Sequence, residues 1–336
     1  RQPRIANETK LQVDESGERI EIATGPLRFS VRKDGFNGIA EAWLEGRQLI
    51  SNHDGGLLMK AGGVVYRSNQ DSSSRVEIEK QTPSYVRIKA EGKLLGIGGK
   101  EGFDYLCRLT AYAGLSRIES QVTVFNTMGP AQKDHVPLEL LRWEIPTVLS
   151  EPSVLIGGER QIYRSPLASD DTAWIYQKDS DEYELGGVLV GKGNGKSTKP
   201  LSTGWIDART QSGGVAVGVR WFWQLHPKVL QADGRGNLRI DLYPEVHQQL
   251  DIYTGVSRTH DLLFYFHSAG DSEKQLRDIF AGFQKPLRAM APLRWYTRDT
   301  GAFGKLVEAE PELFGQNWPL VEKYLSWWKA NFDNLK

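Results

Sequence analysis

The feature that most constrains the fold is an alternation of apolar and polar residues, interrupted at short intervals by turn residues, over roughly the first four fifths of the chain. Clear segments are Tyr85–Ala90, Phe103–Tyr112 and Arg117–Phe125, and Ala113-Gly114 joins the last two as a hairpin. A period of two turns one face of a strand toward a core and the other toward solvent. The sequence therefore predicts a mainly β protein built from antiparallel strands.

The periodicity changes near Gly270 from that of strands to that of helices. Asp271–Gln284 and Pro311–Phe332 carry apolar residues at a spacing of three to four, which is typical of helices with one buried face. A glycine-rich stretch at Gly96–Gly102 marks an earlier boundary. We therefore predict β domains over residues 1–95 and 96–268, followed by a helical segment over 269–336.

Charge and composition exclude some classes of protein. Lys plus Arg and Asp plus Glu both number 42, so the chain lacks the basic excess expected of a nucleic-acid binder. No apolar run is long enough to span a membrane. The single cysteine, Cys107, lies in an alternating strand and is predicted to be a buried small apolar residue. The chain begins at Arg1 without methionine, which favours a processed piece, such as a secreted or periplasmic protein after signal-peptide removal, or a cloning boundary.

One strand end combines the side chains that an acidic sugar requires. After the apolar run Gly214–Val219, the chain places cations, an amide, an imidazole and indoles within nine residues: Arg220, Trp221, Trp223, Gln224, His226 and Lys228. Arg or Lys can pair with a carboxylate, Gln can bond to hydroxyls, and Trp can stack on a sugar ring. We predict these residues, together with Trp205, as a substrate-binding site.

Other motifs do not carry a cofactor. The Gly-Lys-Ser at residues 195–197 has Val190 where a phosphate-binding loop needs its first glycine. The six histidines show no metal-binding spacing, so no metal site is predicted. The acidic run at residues 179–184 is a weak calcium candidate, because it lacks the regular spacing of a calcium loop.

The runs at residues 204–207, 213–228, 237–244 and 257–267 resemble the exo-rhamnogalacturonan lyase family (polysaccharide lyase family 26) and its bacterial relatives. The resemblance implies a small N-terminal β barrel of RIFT type over residues 1–95, a large antiparallel β-sandwich, and C-terminal helices that begin an (α/α) domain. This sequence departs from the family between Trp174 and Gly204, an interval without the Trp, His and Arg residues that relatives usually carry there. Most of the helical domain is also absent from this chain.

The function implied by the resemblance is β-elimination in a rhamnose- and uronate-containing polysaccharide such as the rhamnogalacturonan of pectin. That reaction needs a group that neutralises the uronate carboxylate, a base for the C5 proton and an acid for the leaving oxygen. His226, His260 and Tyr253 are the catalytic candidates.

Two alternatives stay open from the sequence. A glycoside hydrolase would need a carboxylate pair, for which the candidates are Glu144, Asp207, Asp251 and Asp261. The chain could instead be a non-catalytic carbohydrate-binding or scaffold module of a larger enzyme.

Overall fold

The computed structural model describes residues 11–128, 135–159, 161–190, 201–287, 289–302, 304 and 308–334, with side chains through residue 331. The fold is mainly β, as predicted. The strands are β1 Gln12–Glu15, β2 Arg19–Ala23, β3 Leu27–Arg32, β4 Glu41–Leu44, β5 Arg47–Ser51, β6 Gly56–Ala61, β7 Val64–Arg67, β8 Arg75–Gln81, β9 Tyr85–Gly96, β10 Glu101–Tyr112, β11 Arg117–Phe125, β12 His135–Ile145, β13 Ser153–Gly157, β14 Ile162–Pro166, β15 Thr172–Gln177, β16 Tyr183–Gly187, β17 Trp205–Thr210, β18 Gly213–Val219, β19 Lys228–Asp233, β20 Leu238–Tyr243, β21 Leu250–Tyr253 and β22 Ser257–His267.

Two antiparallel sheets form the large β-sandwich that the sequence predicts. The front sheet has the order β8-β9-β10-β11-β22-β18-β17-β13-β14. The back sheet has the order β7-β6-β12-β20-β19-β15-β16, with β21 also paired to β12. A short pairing between β7 and β9 connects the two sheets along one edge. Strands β1 to β5 form a separate five-stranded sheet in sequence order.

Alternating rows of apolar side chains build the core between the front and back sheets. In β22, Leu262, Phe264 and Phe266 face inward, and the ring of Phe264 packs edge-on against Trp143 of β12, with centroids 5.4 Å apart. Cys107 of β10 belongs to the same core and is fully buried, as predicted. Burial raises the pKa of its thiol to about 12, so the thiol is inert at neutral pH.

A helix covers part of the outer face of the front sheet. Ser272 is the N-cap of helix α1, Glu273–Gln284, and its side chain accepts a hydrogen bond from the Gln275 amide. Its apolar face packs on Trp205 and the outward residues of β18 and β22. Residues 286–336 form a second compact unit, which contains α2 at Pro311–Phe314 and α3 at Trp318–Asn334. Among the described residues, no helix has both the length and the apolar character needed to cross a membrane.

Details of the predicted elements differ from the structure. The cluster Arg220–Lys228, predicted at one strand end, is divided by a turn: β18 ends at Val219, and Trp221 in that turn has a φ of 57°. The single helix expected over residues 311–332 is divided at Gly315, which has a φ of 50°. The range predicted as a barrel comprises the five-stranded sheet and strands β6 to β9 of the sandwich. The three-domain division stays a prediction; residues 1–285 group as one compact unit.

Candidate functional site: a basic cavity between the sheets

A cavity of about 290 Å³ opens between the front and back sheets at the end where β19 and β22 begin. Most of its wall is apolar and comes from both sheets, including Phe103, Leu138, Leu242 and Ile252. The polar residues that line it are His226, Lys228, Tyr243, His247, Gln248, Ser257, Arg258 and His260. A largely apolar hollow with a few polar groups is the usual form of a small-ligand site.

The position of Lys228 follows from the inward row of β19. Lys228 precedes Leu230 and Ala232 on the side of that strand that faces the core. It is 1% exposed, and its ammonium lies 3.1 Å from the Leu242 carbonyl oxygen and 3.4 Å from His260 Nδ1. Burial, assisted by the positive charge of Arg258, lowers the pKa of Lys228 to about 7.

His260 and Arg258 reach the same cavity from the front sheet. Both continue the inward row of β22 beyond Leu262, so that the row changes from apolar to basic at the mouth of the sandwich. His260 is buried, whereas Arg258 is exposed. Burial and the charges of Lys228 and Arg258 lower the pKa of His260 well below its ordinary value, so this ring is neutral at pH 7.

The cavity has an excess of positive charge in a chain whose formal net charge is zero. Two cations and three imidazoles line it, and among the described residues that line it none is an Asp or Glu. Within the described part of the chain, Lys228 has no carboxylate at salt-bridge distance, although most other buried charges in the fold are paired, as Arg142 is with Asp241 at 2.5 Å. An unpaired buried ammonium is unfavourable, so this arrangement suits a ligand that brings its own negative charge.

Two further histidines complete the cavity wall. His226 is exposed and lines the cavity beside Pro227. His247, on the loop after β20, accepts or donates a hydrogen bond through Nδ1 to the Tyr176 hydroxyl at 2.7 Å. Burial and the proximity of His226 and Lys178 lower the pKa of His247. Both imidazoles border the cavity, His226 from the segment before β19 and His247 from the loop after β20.

The structure separates Arg220 from Lys228, although only seven residues lie between them. Arg220 lies on the outer side of the front sheet, where its Nε donates to the Phe283 carbonyl oxygen at 3.0 Å and its Nη1 lies 3.3 Å from Asp261. It lines a different cavity of about 340 Å³. The Trp221 amide donates to Gln284 Oε1 at 3.0 Å. This turn therefore holds the end of α1.

Other predicted site residues also lie outside the basic cavity. Trp205 is 1% exposed and stacks on Phe280 of α1, with centroids 5.5 Å apart. Tyr253 is 56% exposed and contacts His135 edge-on. Trp223 is partly buried and Gln224 is exposed, and neither lines the basic cavity. Of the nine predicted site residues, the structure brings together His226, Lys228 and His260.

Arg258 and His247 are cavity residues that the sequence analysis did not single out. The alternation of β22 contains the signal for Arg258, because residues 258 and 260 share a strand face. No comparable local pattern marks His247. It reaches the cavity through the loop between β20 and β21, whose path depends on tertiary packing.

The carboxylates considered for a hydrolase do not line the basic cavity. Asp207 is fully buried against His267 at 2.7 Å, Glu144 pairs with Arg67 at 2.8 Å, and Asp261 pairs with Arg220. Asp251 lies near exposed His135. No group of three or more His, Cys, Asp or Glu side chains among the described residues is placed to hold a metal ion. The weak calcium candidate at residues 179–184 stays a prediction.

Comparison with known proteins relates the sandwich to one described family. Residues 11–137 match the family model for the PcRGLX-like protein central beta sandwich domain. The uncharacterized protein YetA of Bacillus subtilis (strain 168) is 25% identical, over 74% of this chain and 36% of that protein. The chain thus spans about a third of the length of this curated relative.

Solved structures were compared with this chain, and those described here are similar at low sequence identity. A protein of glycosyl hydrolase family 38 from Enterococcus faecalis is similar with a TM-score of 0.52 and 11% identity, over 82% of this chain and 33% of that chain. The GH36 alpha-galactosidase AgaB from Geobacillus stearothermophilus has a TM-score of 0.46 and 10% identity, over 76% of this chain and 41% of that one. At such identities, the first likeness concerns the fold alone.

Proposed function

We propose that this chain is a polysaccharide lyase-like protein that binds an acidic sugar in the basic cavity and cleaves a rhamnose- and uronate-containing polysaccharide by β-elimination. The single observation that carries the proposal is the convergence of Lys228, Arg258, His226 and His260 on one cavity, whose described lining contains no carboxylate. The match to a PcRGLX-like sandwich domain supports a carbohydrate-related protein. A secreted or periplasmic location is proposed with it, since the polymer lies outside the cell.

In the proposed complex, Arg258 and Lys228 bind the uronate carboxylate. A bound anion stabilises the ammonium form of Lys228, which then donates a hydrogen bond to Nδ1 of His260. The neutral imidazole of His260 must consequently carry its proton on Nε2, so it serves as a donor. The exposed His226 at the cavity wall is then the candidate base.

The chemical step follows from these roles. His226 accepts the C5 proton, the C4=C5 double bond forms, and the bond from C4 to the glycosidic oxygen breaks with its electron pair on that oxygen. The leaving oxygen takes a proton from Nε2 of His260 while Nδ1 of that ring takes one from the Lys228 ammonium, or it takes a proton from water. Charge neutralisation by Lys228 and Arg258 makes the C5 proton more acidic, and the proposal calls for no metal or cofactor.

An ultraviolet absorbance assay on rhamnogalacturonan and on ulvan tests this reaction, because elimination creates an unsaturated uronide that absorbs in the ultraviolet. We expect turnover by the wild type and a loss of about 100-fold or more in kcat in His226→Asn, the typical contribution of a general base. His53→Asn, an exposed histidine outside the cavity, is the matched control.

Other outcomes would contradict the lyase proposal. New reducing ends without ultraviolet absorbance would identify a hydrolase. Saturable binding of the oligosaccharide without any product would identify the non-catalytic carbohydrate-binding module, a role that a chain spanning a third of its relative could fill within a longer enzyme.

A further inference from the structure

A second groove continues from the basic cavity across the outer face of the back sheet. It has a volume of about 480 Å³. It shares His247 and Gln248 with the basic cavity, and its other lining residues include Trp174, Tyr176, Lys178 and Glu184. Because His247 and Gln248 border both hollows, a ligand longer than one sugar that occupies the cavity has this groove beside it as a path.

The floor of the groove is aromatic and is formed by Trp174 and Tyr176 of β15. In β15, Trp174 and Tyr176 alternate with Ala173 and Ile175, which face the core, and therefore share the outer face of the strand. Gly186 of β16 is the cross-strand partner of Trp174. A Cβ at residue 186 would lie 1.8 Å from Cζ2 of the indole. Glycine thus allows the Trp174 ring to lie flat on the strand, with part of the indole exposed to the groove.

Hydrogen bonds tie this floor to the loop that borders the cavity. The Tyr176 hydroxyl lies 2.7 Å from His247 Nδ1, and the Tyr243 hydroxyl donates to the Gln248 carbonyl oxygen. Both bonds join a sheet residue to the loop between β20 and β21. These bonds hold the loop between the basic cavity and the aromatic floor. They therefore fix the position of the cavity relative to the groove.

The charge of the groove differs from that of the cavity. Lys178 and Glu184 both line the groove and lie 3.9 Å apart, so one cation and one anion of its lining offset one another. A ligand here is selected by its ring face and hydroxyl groups instead of a net charge. The CH groups of a pyranose face can pack on the electron-rich face of an indole, while Glu184 and Lys178 can accept from and donate to its hydroxyls.

We propose that Trp174 is the stacking platform of a second sugar subsite, which holds the residue adjacent to the acidic sugar in the basic cavity. This proposal rests on the function proposed above, because it takes the cavity as the place of the charged sugar. It adds that the ligand is an oligosaccharide bound over at least two rings, with Gln248 and His247 between them.

Calorimetric binding of two probes tests the subsite: the monosaccharide D-galacturonate and a rhamnogalacturonan tetrasaccharide. We expect the wild type to bind the tetrasaccharide more tightly than the monosaccharide. Trp174→Ala should weaken tetrasaccharide binding by about tenfold, as expected for one aromatic stack of roughly 1.4 kcal/mol, and leave galacturonate binding unchanged. Trp174→Phe keeps an aromatic ring over Gly186 and should recover part of the affinity even if the alanine variant folds poorly.

Trp43→Ala is the matched control, because Trp43 lies on β4 of the five-stranded sheet, outside both hollows. Unchanged tetrasaccharide affinity in both Trp174 variants, with galacturonate still bound, would overturn the subsite alone. An equal loss for both probes would also overturn it, since the residue would then act on the cavity. If the wild type bound neither galacturonate nor the tetrasaccharide, the proposed function would be overturned, and the subsite with it.

Discussion

At the scale of single residues, Lys228 is the most informative side chain of the fold. Its ammonium is buried with a backbone carbonyl and an imidazole as partners, and neither carries a negative charge. Removing a cation from water without a counter-ion costs stability, which is why its pKa falls to about 7. A bound carboxylate would remove this cost, so the cavity is expected to bind anions best when Lys228 is protonated.

The affinity for D-galacturonate should therefore depend on pH. Below pH 7 the lysine already carries the charge that the anion needs, so the affinity is highest there. Above pH 7 binding must first protonate Lys228, and the affinity should fall by up to about tenfold for each pH unit. Calorimetry at pH 8 in buffers of different ionisation enthalpy should detect uptake of close to one proton per sugar.

The control for this dependence is His226→Asn, which removes the exposed imidazole of the cavity and retains Lys228. The same fall in affinity between pH 6 and pH 8 should persist in that variant. Equal affinity of the wild type at both pH values would show that Lys228 does not titrate with the ligand.

Some of these residues could be predicted from the sequence and some could not. His226 and Lys228 stand out because cations, amides and aromatics cluster after an apolar strand. Arg220 belongs to the same cluster, but the chain turns at Trp221, and Arg220 consequently contacts α1 and Asp261. Residues that are close in the sequence are therefore not all close in space. The turn at Trp221 leaves Arg220 on the outer side of the front sheet and Lys228 between the two sheets.

At the scale of elements, the two faces of strand β22 have different roles. Its inward row supplies core residues and then His260 and Arg258 at the cavity, while Leu263 and Tyr265 on the outward row support α1. The alternation of the sequence predicted the strand itself. The role of its outward face depends on α1, which begins five residues after Ser268 and folds back across the sheet.

Helix α1 should contribute to stability through Phe280. Its ring is 1% exposed and stacks on Trp205 at an interplanar angle of 8°. Phe280→Ala should lower the free energy of unfolding by about 3 kcal/mol, because truncation leaves a cavity in a packed apolar cluster. Denaturant unfolding measures the change, and galacturonate affinity of the folded variant should be unchanged, since Phe280 lies on the outer face.

Arg277→Ala, on the exposed face of the same helix, provides the comparison and should alter stability by less than about 0.5 kcal/mol. If the two variants were equally stable, α1 would not be packed on the front sheet as described.

At the scale of the whole molecule, the cavity exists because two sheets meet with their inward rows aligned. The cavity lies between β19 and β20 of the back sheet and β10, β11 and β22 of the front sheet. Periodicity predicts which residues of each strand point inward, so the β-sandwich class could be predicted from the sequence. It does not predict which inward rows face one another, because that depends on long-range strand pairing such as β11 with β22.

The most direct test of the account is the binding of D-galacturonate at pH 6 to the wild type, Lys228→Met and Lys60→Met. Lys60 is an ion-paired lysine outside the cavity, bonded to Glu139 and Glu245. We predict that Lys228→Met binds at least about tenfold more weakly, through loss of a charged hydrogen bond of roughly 1.5–3 kcal/mol. It should melt at a higher temperature than the wild type, because an apolar side chain replaces an unpaired buried ammonium. Equal galacturonate affinity in all three proteins would contradict the assignment of this cavity as an acidic-sugar site.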